Sequence, residues 1–388
     1  MNIRIKALCA LTLSSTMSSV LAHAQPELDV HGAIATGYIK STGNNYLSGN
    51  TLGTSNVFEV AINARTSLSP EILVAGQLMA RDYGTSDDGR MRLDYLQLDY
   101  QFWRSLAGSA GLRVGKLKNP VGFYNDSRDI VFSRPGILLP SVYLEDTGIR
   151  DLLFASEGAQ AYSHWESGPV LSHLVLGWGR ERDATEEFER AAGTTLGGDV
   201  NIDHLLMAQW IGEWSGGTLR TGLSYFGGVL RLRPYAVTTP VTQLDADLWV
   251  LSLQRLWSSG SLTAEYRLTD TSMVSAGNRS KSKADAAYVQ YRRQFDLRWS
   301  GYARYDLNFL DRNDRQGYRA QHLSGAPRHT RFSRSHVLGM QWAPSSSWGV
   351  FAEFHYVDGT GNVRAQDNVG RELERYWTMG LLMIAYQF

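Results

Sequence analysis

YWTMGLLMIAYQF, residues Tyr376 to Phe388, is the stretch that decides the fold, and it ends the chain on an aromatic residue. Its length, its aromatic content and the absence of proline predict one long β-strand. An ordinary edge strand of a soluble sheet would also fit this segment. The rest of the sequence therefore has to distinguish the open sheet of a soluble protein from a sheet closed into a barrel.

The first 24 residues predict export. Arg4 and Lys6 give a positive start, a mostly apolar stretch follows to Leu21, and Ala22-His23-Ala24 is a small-residue cleavage site. This pattern is typical of a secretory signal peptide over residues 1–24, cut before Gln25. The only cysteine, Cys9, lies inside it. The mature chain is therefore expected to have no disulfide, no cysteine metal site and no cysteine nucleophile.

Charge and hydropathy exclude two classes of protein. Removing Arg4 and Lys6 from 38 basic residues leaves 36 against 38 acidic residues, a net charge of about −2. A balanced and scattered charge does not indicate a nucleic-acid-binding protein. No stretch reaches the roughly 18 consecutive apolar residues of a membrane helix. Strands of a membrane barrel escape this test because their apolar residues alternate with polar ones.

Alternation of apolar and polar residues recurs along the whole chain. In the stretch from Asn56 to Leu68, for example, Phe58, Val60 and Ile62 occupy every second position, as expected of a strand with one apolar face. Sixteen such segments are predicted, near 28–39, 56–68, 72–83, 92–103, 107–117, 156–164, 169–180, 203–214, 218–231, 246–257, 260–270, 284–295, 298–309, 334–343, 347–358 and 374–388.

The connections between these segments alternate in length. Even-numbered strands end in tight turns such as 69–71 and 215–217, whereas odd-numbered strands end in longer segments such as 118–155 and 310–333. Short turns on one rim and long loops on the other are typical of a transmembrane barrel. We therefore predict an all-β fold, an antiparallel transmembrane β-barrel of about sixteen strands, formed by the single domain 25–388.

The predicted inward positions carry many charges, among them Glu59, Arg113, Glu265 and Glu353. Charges within a membrane span are costly unless they face water or a partner. A barrel of sixteen strands is also too wide for side chains to fill. Together these points predict a water-filled channel.

The longest connection, 118–155, is unusually apolar for an external loop, and its leucines indicate that it folds against the rest of the chain. With sixteen strands, a terminal Phe and a long fifth connection, the mature chain resembles the sixteen-stranded porins of Gram-negative outer membranes. The stretch Lys118-Asn119-Pro120-Val121-Gly122-Phe123-Tyr124 also looks like porin-like families of proteobacteria, including phosphate-selective types. The acidic constriction motif of enterobacterial general porins is not evident, which leaves the ion selectivity open.

The resemblance implies that the long third external loop, 118–155, folds into the pore and narrows it. Charged loop residues would then face wall arginines and select permeating solutes by charge; a structural salt bridge between loop and wall is the alternative for each residue. The candidates are Arg65, Arg81, Arg113, Lys118, Asp126, Arg128, Asp129, Arg134, Glu145, Asp146, Arg267, Arg292 and Arg304.

The resemblance further implies a homotrimer in contact with outer-membrane lipid and lipopolysaccharide, inserted by machinery that recognises Phe388. It implies passive diffusion of small hydrophilic solutes without cofactor, metal or nucleic acid. A substrate-specific channel for an oxyanion or oligosaccharide is the alternative, with eighteen strands if part of a long loop such as Val121 to Phe132 is a strand, and with Phe123, Tyr124 and Tyr143 as a slide.

An outer-membrane enzyme is a further alternative. It would need histidines such as His164 and His173, which lie close in sequence, to pair with a nucleophile. No potential nucleophile lies at a sequence spacing from these histidines that indicates a catalytic site. No catalytic residue is therefore predicted. A non-transporting surface adhesin or phage receptor is the last alternative, and the modest length of the external loops argues against it.

Overall fold

The computed structural model describes residues 27–47, 51–84, 87, 89–144, 153–192, 194–236 and 239–388, without the side chains of 190–192. The predicted signal peptide, 1–24, lies outside the described residues. Seventeen strands form one antiparallel sheet, and β1 pairs with β17, with Ala33 opposite Gln387, so the sheet closes on itself. The strands are β1 Leu28–Ser41, β2 Thr54–Ser67, β3 Ile72–Asp82, β4 Arg92–Ser105, β5 Gly108–Lys118, β6 Ala155–Ser167, β7 Val170–Gly179, β8 Arg182–Asp183, β9 Gly198–Trp214, β10 Leu219–Pro234, β11 Thr242–Trp257, β12 Gly260–Ser275, β13 Asn278–Gln294, β14 Trp299–Phe309, β15 Phe332–Trp342, β16 Trp348–Asp358 and β17 Tyr376–Gln387.

Sixteen of these strands make the wall, and each overlaps one of the sixteen predicted segments. The prediction of a sixteen-stranded barrel is confirmed. The extra strand, β8, has two residues and only adds to the edge of β9. The segment Val121 to Phe132, which would have been a strand in an eighteen-stranded barrel, is a series of turns.

One predicted loop is wrong. The long connection expected over 271–283 is a two-residue turn, because β12 and β13 continue far beyond their predicted ends. Ala276 and Gly277 have φ angles of 50° and 77°, the left-handed conformation that a type I′ turn requires at both positions. The two strands remain paired out to this turn, with Ser275 opposite Asn278.

The wall has one apolar and one polar face, as a strand period of two requires. On β11, Trp249, Leu251 and Leu253 point outward and are exposed, whereas Ser252 and Gln254 point inward and are buried. The same alternation repeats around the barrel and leaves a band of exposed leucines and aromatics outside. The charged residues of the wall are concentrated inside.

The two rims differ. One, the short-turn rim, carries tight turns and both ends of the described chain. There Gly32 and Phe388 exchange backbone hydrogen bonds of 3.1 and 3.0 Å. A Cβ on Gly32 would stand 2.5 Å from the ring of Phe388, so only glycine leaves room for the terminal ring.

The other rim, the long-loop rim, carries the longer connections, and these connections contain the short helices. The α-helices are Thr185–Ala192 and Tyr318–Ser324, and the 3₁₀ helices are Ser141–Tyr143, Arg328–Arg331 and Ala365–Asn368. None of the helices in the described ranges is long and apolar enough to cross a membrane.

Candidate pore constriction

The connection between β5 and β6, residues 119–154, is here called the constriction loop, and its described residues, 119–144 and 153–154, fold into the barrel. Its apolar residues pack against the inner wall in two places. Ile137 and Leu138 join a cluster with residues of β1, β2, β16 and β17. Val142 joins a second cluster with Val250 and Tyr288 on β11 and β13. Burial of these side chains explains why a loop in this position is rich in leucine and valine.

One anchor is a buried ion pair between the constriction loop and β2. Arg134 donates to both oxygens of Glu59 at 2.6 and 2.9 Å, in the bidentate geometry that a guanidinium and a carboxylate favour. Their side chains are only 1% and 5% exposed. Arg81 on β3 stands 3.7 Å from the same carboxylate. The charge of Glu59 is therefore balanced by two arginines, one of them from the loop.

Wall carboxylates also accept hydrogen bonds from the backbone of the constriction loop. Glu353 on β16 accepts from the amides of Ile137 and Leu138 at 2.8 and 3.2 Å. Asp306 on β14 accepts from the amide of Ser141 at 3.1 Å. A buried segment without regular secondary structure must satisfy its backbone groups through side chains. These inward acids do so for the loop.

Wall bases complete the pattern by donating to carbonyl oxygens of the same segment. Arg304 donates to the carbonyl of Leu138 at 3.2 Å, and Arg267 donates to the carbonyls of Ser141 and Val142 at 2.7 and 3.1 Å. Acids thus hold the loop amides and arginines hold the loop carbonyls. Much of the inward charge that the sequence shows is used to bind the loop.

Glu265 on β12 forms a further anchor, which binds residues near the start and near the end of segment 119–144 of the constriction loop. It accepts from the amide of Phe123 at 2.9 Å and from the hydroxyl of Tyr143 at 2.5 Å. Burial, together with the nearby charge of Glu265, raises the pKa of Tyr143 well above its ordinary value. The hydroxyl therefore keeps its proton and remains a donor. Tyr143 is fully buried, which removes it from any aromatic slide for solutes.

The start of the constriction loop is fixed at the end of β5. Lys118 pairs with Asp129 at 2.5 Å and donates to the carbonyl of Asp126 at 2.6 Å. Gln77 on β3 donates to the same carboxylate of Asp129 at 2.8 Å. The loop is thereby tied to the wall on the β3–β5 side as well as on the opposite side.

Burial divides the predicted constriction residues into two groups. Residues in the first group are buried and have almost no contact with solvent, whereas those in the second group have exposed atoms. Glu145 and Asp146 lie outside the described residues. The buried group is Arg81, Arg128, Asp129, Arg134, Arg267 and Arg304. The accessible group is Arg65, Arg113, Lys118, Asp126 and Arg292.

Most accessible bases on the wall are paired with an acid on a neighbouring strand. Arg65 pairs with Asp29 at 2.9 Å, and Arg113 pairs with Asp99 at 2.9 Å. Arg292 differs, because the groups that accept its hydrogen bonds are uncharged: the side-chain oxygen of Gln341 at 3.1 Å, the hydroxyl of Ser300 at 3.4 Å and a loop carbonyl at 3.2 Å. Within the described ranges it forms no ion pair. Arg292 is therefore an uncompensated positive charge on the inner wall.

The sequence did not identify the anchoring acids as functional residues. Alternation placed Glu59, Glu265, Asp306 and Glu353 on the inner face, but nothing in their spacing shows that they bind the loop. Ile137 and Glu353 are 216 positions apart. A local sequence pattern cannot show a contact between residues that are so far apart in the chain.

Comparison with solved structures gives many matches of low identity. OmpF of Salmonella typhi superposes with a TM-score of 0.61 at 10% identity, over 94% of this chain and 98% of that one. The outer-membrane channel DcaP of Acinetobacter baumannii gives 0.59 at 11% identity, over 96% and 100%. The anion-selective porin of Comamonas acidovorans gives 0.59 at 12% identity, over 94% and 100%.

The chain has a sixteen-stranded porin-type fold. The superpositions extend over nearly the whole length of each protein, so the porin-type barrel accounts for the complete described wall. No family model and no curated protein sequence matches the chain. Identities of 10–12% show the fold alone. What this porin-type barrel does must therefore be argued from its own geometry.

Proposed function

We propose that the protein is an outer-membrane porin that passes small hydrophilic solutes and ions by passive diffusion. The observation that carries the proposal is the arrangement of surfaces: an apolar band outside, a charged wall inside, and a constriction loop bound to that wall. In lipid, only a closed barrel satisfies every backbone group of a sheet. Charged residues inside such a barrel are stable because they face water or one another.

The proposal includes export, membrane insertion, orientation and assembly of the protein. Residues 1–24 direct export and are removed, and Phe388 marks the chain for insertion into the outer membrane. The short-turn rim then faces the periplasm and the long-loop rim faces outward, in contact with lipopolysaccharide. The protein assembles as a homotrimer and uses no cofactor and no catalytic chemistry.

The constriction loop limits the size of the solutes that can pass through the barrel. It contacts the wall near β2, β12, β14 and β16, so free passage is restricted to the part of the lumen that it leaves open. Arg65, Arg113, Lys118, Asp126 and Arg292 are the proposed lining charges. Asp126, which is an exposed residue, is the one acid among four bases.

Swelling of liposomes in sugar solutions tests this function directly. Liposomes that contain the mature protein are expected to swell in isotonic solutions of monosaccharides, and more slowly as the sugar becomes larger. Liposomes prepared with heat-denatured protein serve as the control. Equal light scattering of the two preparations in the smallest sugar would reject passive diffusion.

A further inference from the structure

His164 on β6 and His173 on β7 are direct partners across two neighbouring strands. Their ring centroids are 4.5 Å apart and their planes meet at 66°. They lie close to the short-turn rim, because β6 ends at Ser167 and β7 begins at Val170. The porin-type fold places no requirement on histidine at either position, and the proposed diffusion of solutes does not use them.

Both imidazoles face the lumen. His164 shares the inner face of β6 with Tyr162, whose ring centroid lies 5.6 Å from its own, and Tyr162 in turn lies under the guanidinium of Arg113. His164 and His173 are only half-buried. Neither side chain forms a hydrogen bond to another described residue. Two imidazoles are thus held side by side, accessible to water, with nitrogen atoms free to bind a ligand.

Paired neutral imidazoles are good ligands for divalent transition metals such as zinc, copper and nickel. Zinc–nitrogen bonds of about 2.0–2.1 Å place the centroids of two coordinated imidazoles roughly 5 Å apart. The observed 4.5 Å is close to this separation. Cross-strand partners are also fixed by the backbone, so little order has to be created on binding.

We infer that His164 and His173 form a two-histidine site for a divalent transition-metal ion, of which zinc is the probe. In the described part of the chain, no group of three or more histidines, cysteines and carboxylates is placed to hold a metal. Water therefore supplies the remaining ligands. The nearest charged groups from the neighbouring strands are the pairs Arg113–Asp99 and Arg220–Glu213, which nearly cancel and leave the site accessible to a cation.

The effect of the metal on the current rests on the proposed function. Under that function, a bound dication adds two positive charges to the end of the lumen at the short-turn rim, and its water ligands narrow the lumen there. Below about 0.1 M salt, where the Debye length exceeds about 10 Å, the bound metal repels cations from this end of the lumen. Zinc added on the short-turn side is expected to lower the single-channel conductance.

Direct zinc binding tests the site without any measurement of transport. The untagged mature chain in detergent is titrated against a chromophoric zinc indicator, and one zinc per chain is expected. His164→Gln and His173→Gln should each weaken binding by about 10-fold or more, since loss of even an outer partner of a metal ligand costs 10–100-fold. His31→Gln is the matched control, because His31 is an exposed residue on the inner face of β1.

The outcomes separate the metal site from the channel. Zinc binding that is at least about 10-fold weaker in each single variant, with His31→Gln unchanged, supports the site. Equal zinc binding by the unmodified chain and the His164→Gln/His173→Gln double variant overturns it. A chain that binds zinc through this pair but conducts no current would leave the site in place and count against the proposed function.

Discussion

Arg134→Ala is expected to release part of the constriction loop from the wall and to raise the single-channel conductance. The substitution removes both hydrogen bonds to Glu59 and leaves that buried carboxylate with Arg81 as its remaining partner, 3.7 Å away. Breaking a buried pair by removing one partner costs about 3–5 kcal/mol. Because Arg81 remains, we expect a loss of about 3 kcal/mol, the lower end of that range.

The measurement is single-channel recording combined with limited proteolysis of the folded barrel. Arg134→Ala should show larger current steps and faster cleavage between residues 119 and 154, whereas the strands of the wall should resist the protease. Arg180→Ala is the matched control. Its ion pair with Glu157 is 60% and 40% exposed, and exposed pairs contribute about 0–1 kcal/mol. Identical conductance and cleavage of the two variants would show that Arg134 does not hold the loop.

Arg292→Glu is expected to move the reversal potential toward that of a cation-selective channel. Arg65 and Arg113 are neutralised by acids on neighbouring strands, whereas Arg292 is held by an amide oxygen and a loop carbonyl. An uncompensated charge acts on every ion that passes it, more strongly in a narrow channel with walls of low dielectric constant. The substitution changes the charge at this position by two units.

The reversal potential is measured in planar bilayers under a salt gradient. Arg298→Glu provides the matched control, because it makes the same change of charge at an exposed position on the short-turn rim. The shift should be large for Arg292→Glu and small for Arg298→Glu, and it should decrease as salt is raised. Equal shifts in the two variants would assign selectivity to the overall charge rather than to Arg292.

The fold could be predicted because a strand in a closed barrel separates apolar from polar residues at every second position. Trp249, Leu251 and Leu253 face outward while Ser252 and Gln254 face inward, and this pattern is written in the sequence. The hairpin of β12 and β13 was missed because its outer part is polar. Arg279, Lys281 and Lys283 alternate with serines and show no apolar face.

The constriction residues could be predicted less well. The loop has no periodicity, and its place inside the barrel was implied by resemblance rather than by pattern. Whether a charge on the loop faces water or the wall depends on partners far away in the sequence. Arg134 and Glu59 are 75 positions apart, and only the closed sheet brings them together. Arg128, which is fully buried, could not be distinguished from the exposed Asp126 by sequence alone.

We propose that a loop bound to the inner wall narrows a water-filled barrel. Single-channel recording of the unmodified mature protein in a planar bilayer tests this proposal. We expect stepwise openings with a linear current–voltage relation and a conductance below that of Arg134→Ala. A bilayer that contains inserted protein but carries no more current than bare lipid would contradict it.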